Sequence, residues 1–552
     1  MKTKSSVLLT AVIAVLSLGL LSLESAMACT NLIVGKKASK DGSVMVSYAA
    51  DSHTLYGELY RYAAADHQPG AMRKIIEWDT HKYLGEIPEV AHTYSVVGNM
   101  NEHQVLIAES TWGGRKELED PNGIMDYGSL IYVGLQRSKT AREAIKVMTD
   151  LVEKYGYHSS GESFTIADKN EVWVMELIGK GKYGKGAVWV AIRIPDDAIC
   201  AHANQSRIQQ IPFKDKKNCM YSKDVVSFAR KMGFFKGKDK DFSFQAAYNP
   251  YDAGGLRGCE GRVYAFFNKF NKDMRHYISF IEGKTKEPMP LYIKPDRKLS
   301  VADVRDMMRD HFEGTDLDMT KDVGAGPYVC PYRWRPMTFK VDGKEYCNER
   351  AIATQQTGWV FVGQTRGWLP DKIGGILWFG CDDADMTVFT PMYCGLTEIP
   401  ECYKEGNGDL LTFSWTSAFW IHNWVANMAY NKYNYMIKDI RKIQRELENS
   451  FDNVLVPAVD KEGQEILEKD PQNIVPFLNK VCAEVANGST ARWKQLGEYL
   501  IVKYIDGNVK KEKDGKFQRT PEGLAVSPDQ PGYNEEYYRH IVETTGDHFL
   551  ME

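Results

Sequence analysis

The chain has no C-x-x-C pair and no H-E-x-x-H motif, so the common zinc-ligand spacings are missing. Nor has it a basic excess: 69 Lys and Arg stand against 73 Asp and Glu, a formal charge of −4. The short run Lys510 to Lys513 has little aromatic company and reads as a solvated turn, so nucleic-acid binding is not expected. Internal repeats and low-complexity tracts are absent. Beyond Leu23 no apolar run reaches the roughly 18 residues that span a bilayer. The acidic run Asp382-Asp383-Ala384-Asp385 lacks the ligand ladder and glycine of a calcium loop and also reads as a solvated turn. No metal and no organic cofactor are expected.

What is present begins at the first residues. Lys2 and Lys4 precede an apolar run from Val7 to Leu23, and Ala26-Met27-Ala28 supplies an A-x-A cleavage site. This is the layout of a secretory signal peptide, residues 1–28, so the protein is expected to be exported, periplasmic or secreted, with no membrane span after processing. Cleavage would leave Cys29 at the N-terminus. The ten cysteines are irregularly spaced, and an exported protein could pair some of them. With Cys29 set aside nine remain, so a monomer keeps at least one further thiol. The 552 residues are 43% hydrophobic and 12% aromatic, ample for a large core.

Short β-prone segments are read at Thr30–Val34 and Ser43–Tyr48, joined by a loop with an Asp41-Gly42 turn. A strand pair is read at Thr93–Val97 and Val105–Ala108. Further strands fall at Ser163–Ala167, Glu171–Leu177 and Ala187–Ile194. Thr140 to Glu143 fits a capping box ahead of an apolar stripe at helical spacing. Composition shifts near Glu405-Gly406-Asn407-Gly408. After it, Trp420 to Leu447 reads as one long helix, and Ile474–Val485 and Trp493–Tyr504 as two more. The expected organisation is an α+β body over 29–405 and a mainly helical region over 406–552.

Once Ala28 is removed, Cys29 carries a thiol and its own free α-amine. The amine titrates near pH 7.7–8.0 and the thiol near 8.5, so a proton can pass between them, and nucleophile and base reside on one residue. Two other readings stand beside this one: a structural cysteine, and a lipid-modified cysteine at the head of a lipoprotein. Lipoprotein sites usually have leucine three residues before the cysteine, where this chain has Ala26.

The segment Cys29-Thr30-Asn31-Leu32-Ile33-Val34-Gly35-Lys36-Lys37-Ala38-Ser39, then Asp41-Gly42-Ser43, resembles the opening of the cysteine dipeptidases of the N-terminal nucleophile hydrolase superfamily. These are relatives of penicillin V acylase and bile salt hydrolase. Similar segments recur at Asn99–Glu102, Glu109–Thr111, Gly161–Ser163, Trp173, Glu176, Arg193–Asp197, Ala203–Ile208, Trp378 and Pro391–Tyr393. The resemblance implies a four-layer αββα sandwich with the nucleophile at the start of a core strand. It implies Cys29 as nucleophile, Asp51 holding the α-amine, Asn204 in the oxyanion hole, Asn101 as a second donor and Arg262 as a later active-site arginine. The family commonly has arginine three positions before that aspartate, and this chain has Tyr48 there. His202 would also permit a Cys–His pair, though the amine already supplies a base.

The expected function is therefore an exported dipeptidase that works through an N-terminal cysteine and an acyl-enzyme on dipeptide substrates. The alternatives are a non-peptide amidase of the penicillin or bile-salt acylase type and a non-catalytic surface lipoprotein, the lipid-anchored form being the lesser one. Homo-oligomerisation is left open.

Overall fold

The computed structural model describes residues 29–551, and the leader read from residues 1–28 lies outside them. The chain opens with β1 (Asn31–Val34) and β2 (Val44–Asp51), both buried along their whole length. An antiparallel meander follows: β3 (Leu106–Gly113), β4 (Gly161–Ala167), β5 (Val172–Gly179) and β6 (Ala187–Ile194). Then β7 (Ile199–His202) returns beside β1, and β8 (Thr357–Thr365), β9 (Gly375–Cys381) and β10 (Thr390–Tyr393) come much later.

Two large antiparallel sheets result. One has the spatial order Tyr292–Ile293, β7, β1, β2, β8, β9, β10. The other runs Cys219–Tyr221, β6, β5, β4, β3, then the two-residue strands Met100–Asn101, Val96–Val97 and Arg61–Tyr62. The strand pair expected at 93–97 and 105–108 is thus a meander with Met100–Asn101 inserted, because the supposed loop itself pairs with both neighbours.

The sheets meet face to face, with β2 against β3 and β4, and β1 against β3. At Gly363 on β8 an added Cβ would stand 2.5 Å from Leu106 Cδ2, so the missing side chain allows the close approach. Strand β5 shows how period-two alternation divides the interior. Val172 and Val174 join the core between the sheets, while Trp173, Met175 and Leu177 join a second core on the other face. That second core is closed by α1 (Tyr127–Gln136) and α2 (Ala141–Tyr155). Thr140 Oγ1 accepts from the Glu143 amide, and Glu143 Oε2 accepts from the Lys139 amide, one residue earlier than a standard capping box. Against the first sheet lie α3 (Gly261–Phe270), touching β7, and α4 (Val301–Met308), touching β2 and β8.

The C-terminal region contains α5 (Ala418–Ala429), α6 (Tyr433–Ser450), α7 (Val456–Lys469) and α8 (Ile474–Tyr504). The single helix expected over 420–447 is broken, because Lys432 leaves helical geometry (φ −149°, ψ 51°). The two helices expected after residue 474 are one, passing through Gly488, whose Cβ position faces open space. The acidic run is not a solvated turn. Asp382, Asp383 and Asp385 are buried and accept from Asn423, Tyr430 and Tyr433 at 2.9, 2.8 and 2.7 Å, with Arg441 also on Asp385. The run is a polar anchor tying α5 and α6 to the sheet. Among the described residues all ten cysteines are free thiols, and no helix is long and apolar enough to cross a membrane.

Candidate active site

Cys29 stands at the head of β1, next to the bridge that pairs Thr30 with Ala49 of β2, and is fully buried. Its Sγ lies 3.3 Å from Glu109 Oε1 of β3 and 3.6 Å from the Tyr48 hydroxyl of β2. Tyr48 donates to the same Glu109 oxygen at 2.6 Å. At the position where the resemblance would put an arginine, the chain therefore has a phenol that orients a carboxylate. Burial, then the charges of Glu109 and Asp51, push the Cys29 thiol well above its ordinary range. This setting favours the protonated form of Cys29.

Arg262, in the first turn of α3, connects the site. A π-turn at Gly255–Glu260 leads into this helix, and Arg262 Nε donates to the Gly258 carbonyl at 2.8 Å. Its Nη1 donates to the Cys29 carbonyl at 2.7 Å and to Thr30 Oγ1 at 2.8 Å. Its Nη2 donates to Ala203 O at 3.1 Å and Asn204 Oδ1 at 2.9 Å. One guanidinium thus holds Cys29 and Asn204 in fixed relation. Burial and the Arg350 charge lower its pKa to about 10, so it stays cationic at neutral pH.

Asn204 sits just past β7 in the left-handed region (φ 60°), where asparagine is among the most tolerant residues. Its Nδ2 donates to Thr111 O at 2.6 Å, and its backbone amide donates to Ser110 Oγ at 3.2 Å. The loop beyond it is held by buried Glu176, which accepts from Ser206 Oγ and from the amides of Arg207 and Ile208. Burial pushes the Glu176 carboxyl up to about 7.

Asp51 closes β2. It accepts from Arg350 Nη2 at 2.6 Å and Thr357 Oγ1 at 2.7 Å, while Gln356 Nε2 donates to its carbonyl at 3.2 Å. Burial raises its pKa despite the Arg350 charge. Its main chain also hydrogen-bonds the Cys29 sulfur, favouring the thiolate.

Two readings are not met by the geometry. Asn101 spends its amide donors on the carbonyls of Leu135 and Ser138, both at 2.7 Å, and its oxygen on the amides of His103 and Val105. It braces the short meander and is not placed as an oxyanion donor. His202 is enclosed by Ser110 Oγ at 2.6 Å and Thr165 Oγ1 at 2.7 Å, and burial lowers its pKa to about 3. With both ring nitrogens engaged there, it is not a base for Cys29. The reading from sequence gave no role to Tyr48's hydroxyl, Arg350, Thr357, Glu109 or Glu162. Glu109 and Glu162 left a sign, as carboxylates inside the strands Leu106–Gly113 and Gly161–Ala167. Among the described residues no group of three or more His, Cys, Asp or Glu is arranged to hold a metal ion.

Cys29 at the head of a buried strand is thus joined by one arginine to the Asn204 loop. The family model for peptidase family C69 matches residues 28–446. The chain belongs to that peptidase family. It is 27% identical over 404 residues to a protein of Salmonella dublin named "probable dipeptidase", covering 68% of this chain and 83% of the relative. A "probable dipeptidase" of Latilactobacillus sakei is 26% identical over 428 residues, 74% of this chain and 82% of the relative. A "probable dipeptidase B" of Lactococcus lactis subsp. lactis is 25% identical over 463 residues, 78% and 89% respectively.

Proposed function

We propose that this peptidase is an exported dipeptidase with an N-terminal cysteine nucleophile, built on the four-layer αββα sandwich of the N-terminal nucleophile hydrolases. In this reading residues 1–28 are a cleaved leader, 29–405 hold the catalytic body and 406–552 buttress it. The dipeptidase names of the relatives support the substrate class. The helix, sheet, sheet, helix stacking supports the fold.

The observation that carries the mechanism is the buried Cys29 thiol beside Glu109, with both ring nitrogens of His202 committed elsewhere. The base is then the α-amine that leader cleavage frees on Cys29 itself. It takes the thiol proton as sulfur attacks the peptide carbonyl, forming the S–C bond. The oxyanion is met by the Asn204 carboxamide, preorganised by Arg262 and Thr111. The ammonium returns its proton to the leaving amino acid as the C–N bond breaks, and water releases the acyl-enzyme. Asp51, fixed by Arg350 and Thr357, holds the amine. Arg262 acts as a positioning residue, and Asn101 is left out.

The test uses three proteins on a free dipeptide: wild type, Cys29→Ala, and a chain with verified extra residues ahead of Cys29. Wild type should hydrolyse it, Cys29→Ala should not, and the extended chain should be inactive until the extra residues are removed. Turnover by folded Cys29→Ala ends the nucleophile assignment, and full activity of the extended chain ends the amine as base.

A further inference from the structure

Glu109 and Glu162 lie side by side next to the nucleophile, and the mechanism above uses neither. Both side chains are completely buried. Thr111 pairs with Glu162 across β3 and β4, so Glu109 and Glu162 are diagonal neighbours on one face of the sheet; they hydrogen-bond to each other, and burial pushes both carboxyls up. The remaining partners carry no positive charge. Glu109 has the Tyr48 hydroxyl and the Cys29 thiol, and Glu162 has Thr111 Oγ1 at 2.8 Å. Among the described residues, no arginine, lysine or histidine forms an ion pair with either carboxyl. Beyond their mutual bond, Glu109 Oε2 and Glu162 Oε1 have no hydrogen-bond partner. A buried carboxyl pair with no cation against it is costly to ionise. Here it also acts against the nucleophile, since Glu109 helps to raise the thiol's pKa.

The α-amine of Cys29 is committed to the thiol proton in the mechanism above, and a dipeptide brings a second cationic nitrogen of its own. Its α-nitrogen is two bonds from the carbonyl carbon under attack, and a productive complex puts that carbon about 3–3.5 Å from sulfur. A carboxylate oxygen 3.3 Å from the same sulfur is then within reach of the ammonium. We infer that the Glu109–Glu162 pair is the subsite that binds the substrate's free α-ammonium, with Glu109 as the contacting carboxylate. The inference rests on the dipeptidase reading and deepens it. Ammonium binding would offset the Glu109 charge, which adds to burial in raising the thiol's pKa, so a free N-terminus would both dock the substrate and ease ionisation of the sulfur. An N-acylated peptide would bring an amide N–H in place of the cation and leave the pair uncompensated.

The experiment compares kcat/KM for Ala-Ala and N-acetyl-Ala-Ala with wild type, Glu109→Gln and Glu109→Asp. Wild type should prefer the free dipeptide. Glu109→Gln should lower the free-to-acetylated ratio by roughly 10–100-fold, the range for loss of a hydrogen bond to a charged group. Glu109→Asp keeps the charge and should retain most of the preference, with a raised KM for the free dipeptide alone. A Glu109→Gln enzyme that loses activity with its ratio unchanged overturns the inference and leaves the dipeptidase reading intact. If Glu109→Gln does not fold, a Glu109→Asp enzyme with equal KM increases on both substrates overturns it as well. Wild type that fails to cleave Ala-Ala overturns the dipeptidase reading, and this inference with it.

Discussion

His202 lies two residues from Asn204, and its value at that place is structural. Its ring reaches from β7 of the first sheet to Ser110 of β3 and Thr165 of β4, neighbouring strands of the second sheet, and burial there disfavours a second ring proton. The folded pKa of about 3 is below the unfolded value near 6.5. The unfolded chain therefore binds the proton first. Stability from this residue is complete above about pH 6.5 and is lost as pH falls toward 3. A His202→Gln variant keeps a donor and an acceptor but no longer titrates. Urea midpoints between pH 7 and 4 should fall more steeply for wild type than for His202→Gln. Parallel slopes would remove His202 as a source of acid lability.

At the scale of elements, two glycines should respond to alanine with opposite signs. Gly35 ends the strand that carries Cys29, and its amide donates to Ala198 O at 3.0 Å. A Cβ there would stand 2.5 Å from Asp196 O and 2.7 Å from Pro195 O, both main-chain atoms. Gly35→Ala must displace the turn ahead of β7, at a cost of about 1–3 kcal/mol. Gly488, in the middle of α8, meets nothing within 4 Å of its Cβ position. Gly488→Ala should stabilise by about 0.5–1 kcal/mol, because alanine loses less backbone freedom on entering a helix. Denaturant titrations of the two variants against wild type check both signs.

For the whole molecule, the question is whether the catalytic body stands without the helical region. Three buried arginines of the body take their counter-ions from beyond residue 405. Arg309 pairs with Glu448 at 2.5 Å, Arg305 with Asp452, and Arg366 with Asp460 through two bonds of 2.5 and 2.9 Å. The edge strand β10 is also covered by α8, where Cys482 Sγ lies 3.8 Å from Pro391 O. Removing one partner of a buried ion pair costs about 3–5 kcal/mol, and native proteins hold only about 5–15 kcal/mol in total. A fragment of residues 29–405 should therefore give no cooperative thermal transition by circular dichroism. A sharp transition at the full chain's midpoint would show that the helices are dispensable.

Local pattern was enough for much of this protein. The strands β1, β2, β4, β5 and β6 are legible because continuous or alternating apolar runs bounded by turn residues state their own conformation, and the Thr140 cap likewise acts within one turn. Motif resemblance singled out Cys29, Asp51, Asn204 and Arg262 as candidates, without the contacts that join them. Tertiary structure decided the rest, since the deciding partners are far apart along the chain. Arg350 reaches Asp51 across 299 positions, and Arg262 reaches Cys29 across 233. The Asp382–Asp385 run reads as a surface turn until Tyr430, Tyr433 and Arg441 arrive to pair it, and Asn101 reads as a donor until Leu135 and Ser138 take its protons. Lys432 interrupts a helix that its neighbours would continue, and its ammonium ends on the Gly507 carbonyl. Propensity is set by neighbours in sequence, whereas the cost of burying a charge or an amide is set by neighbours in space.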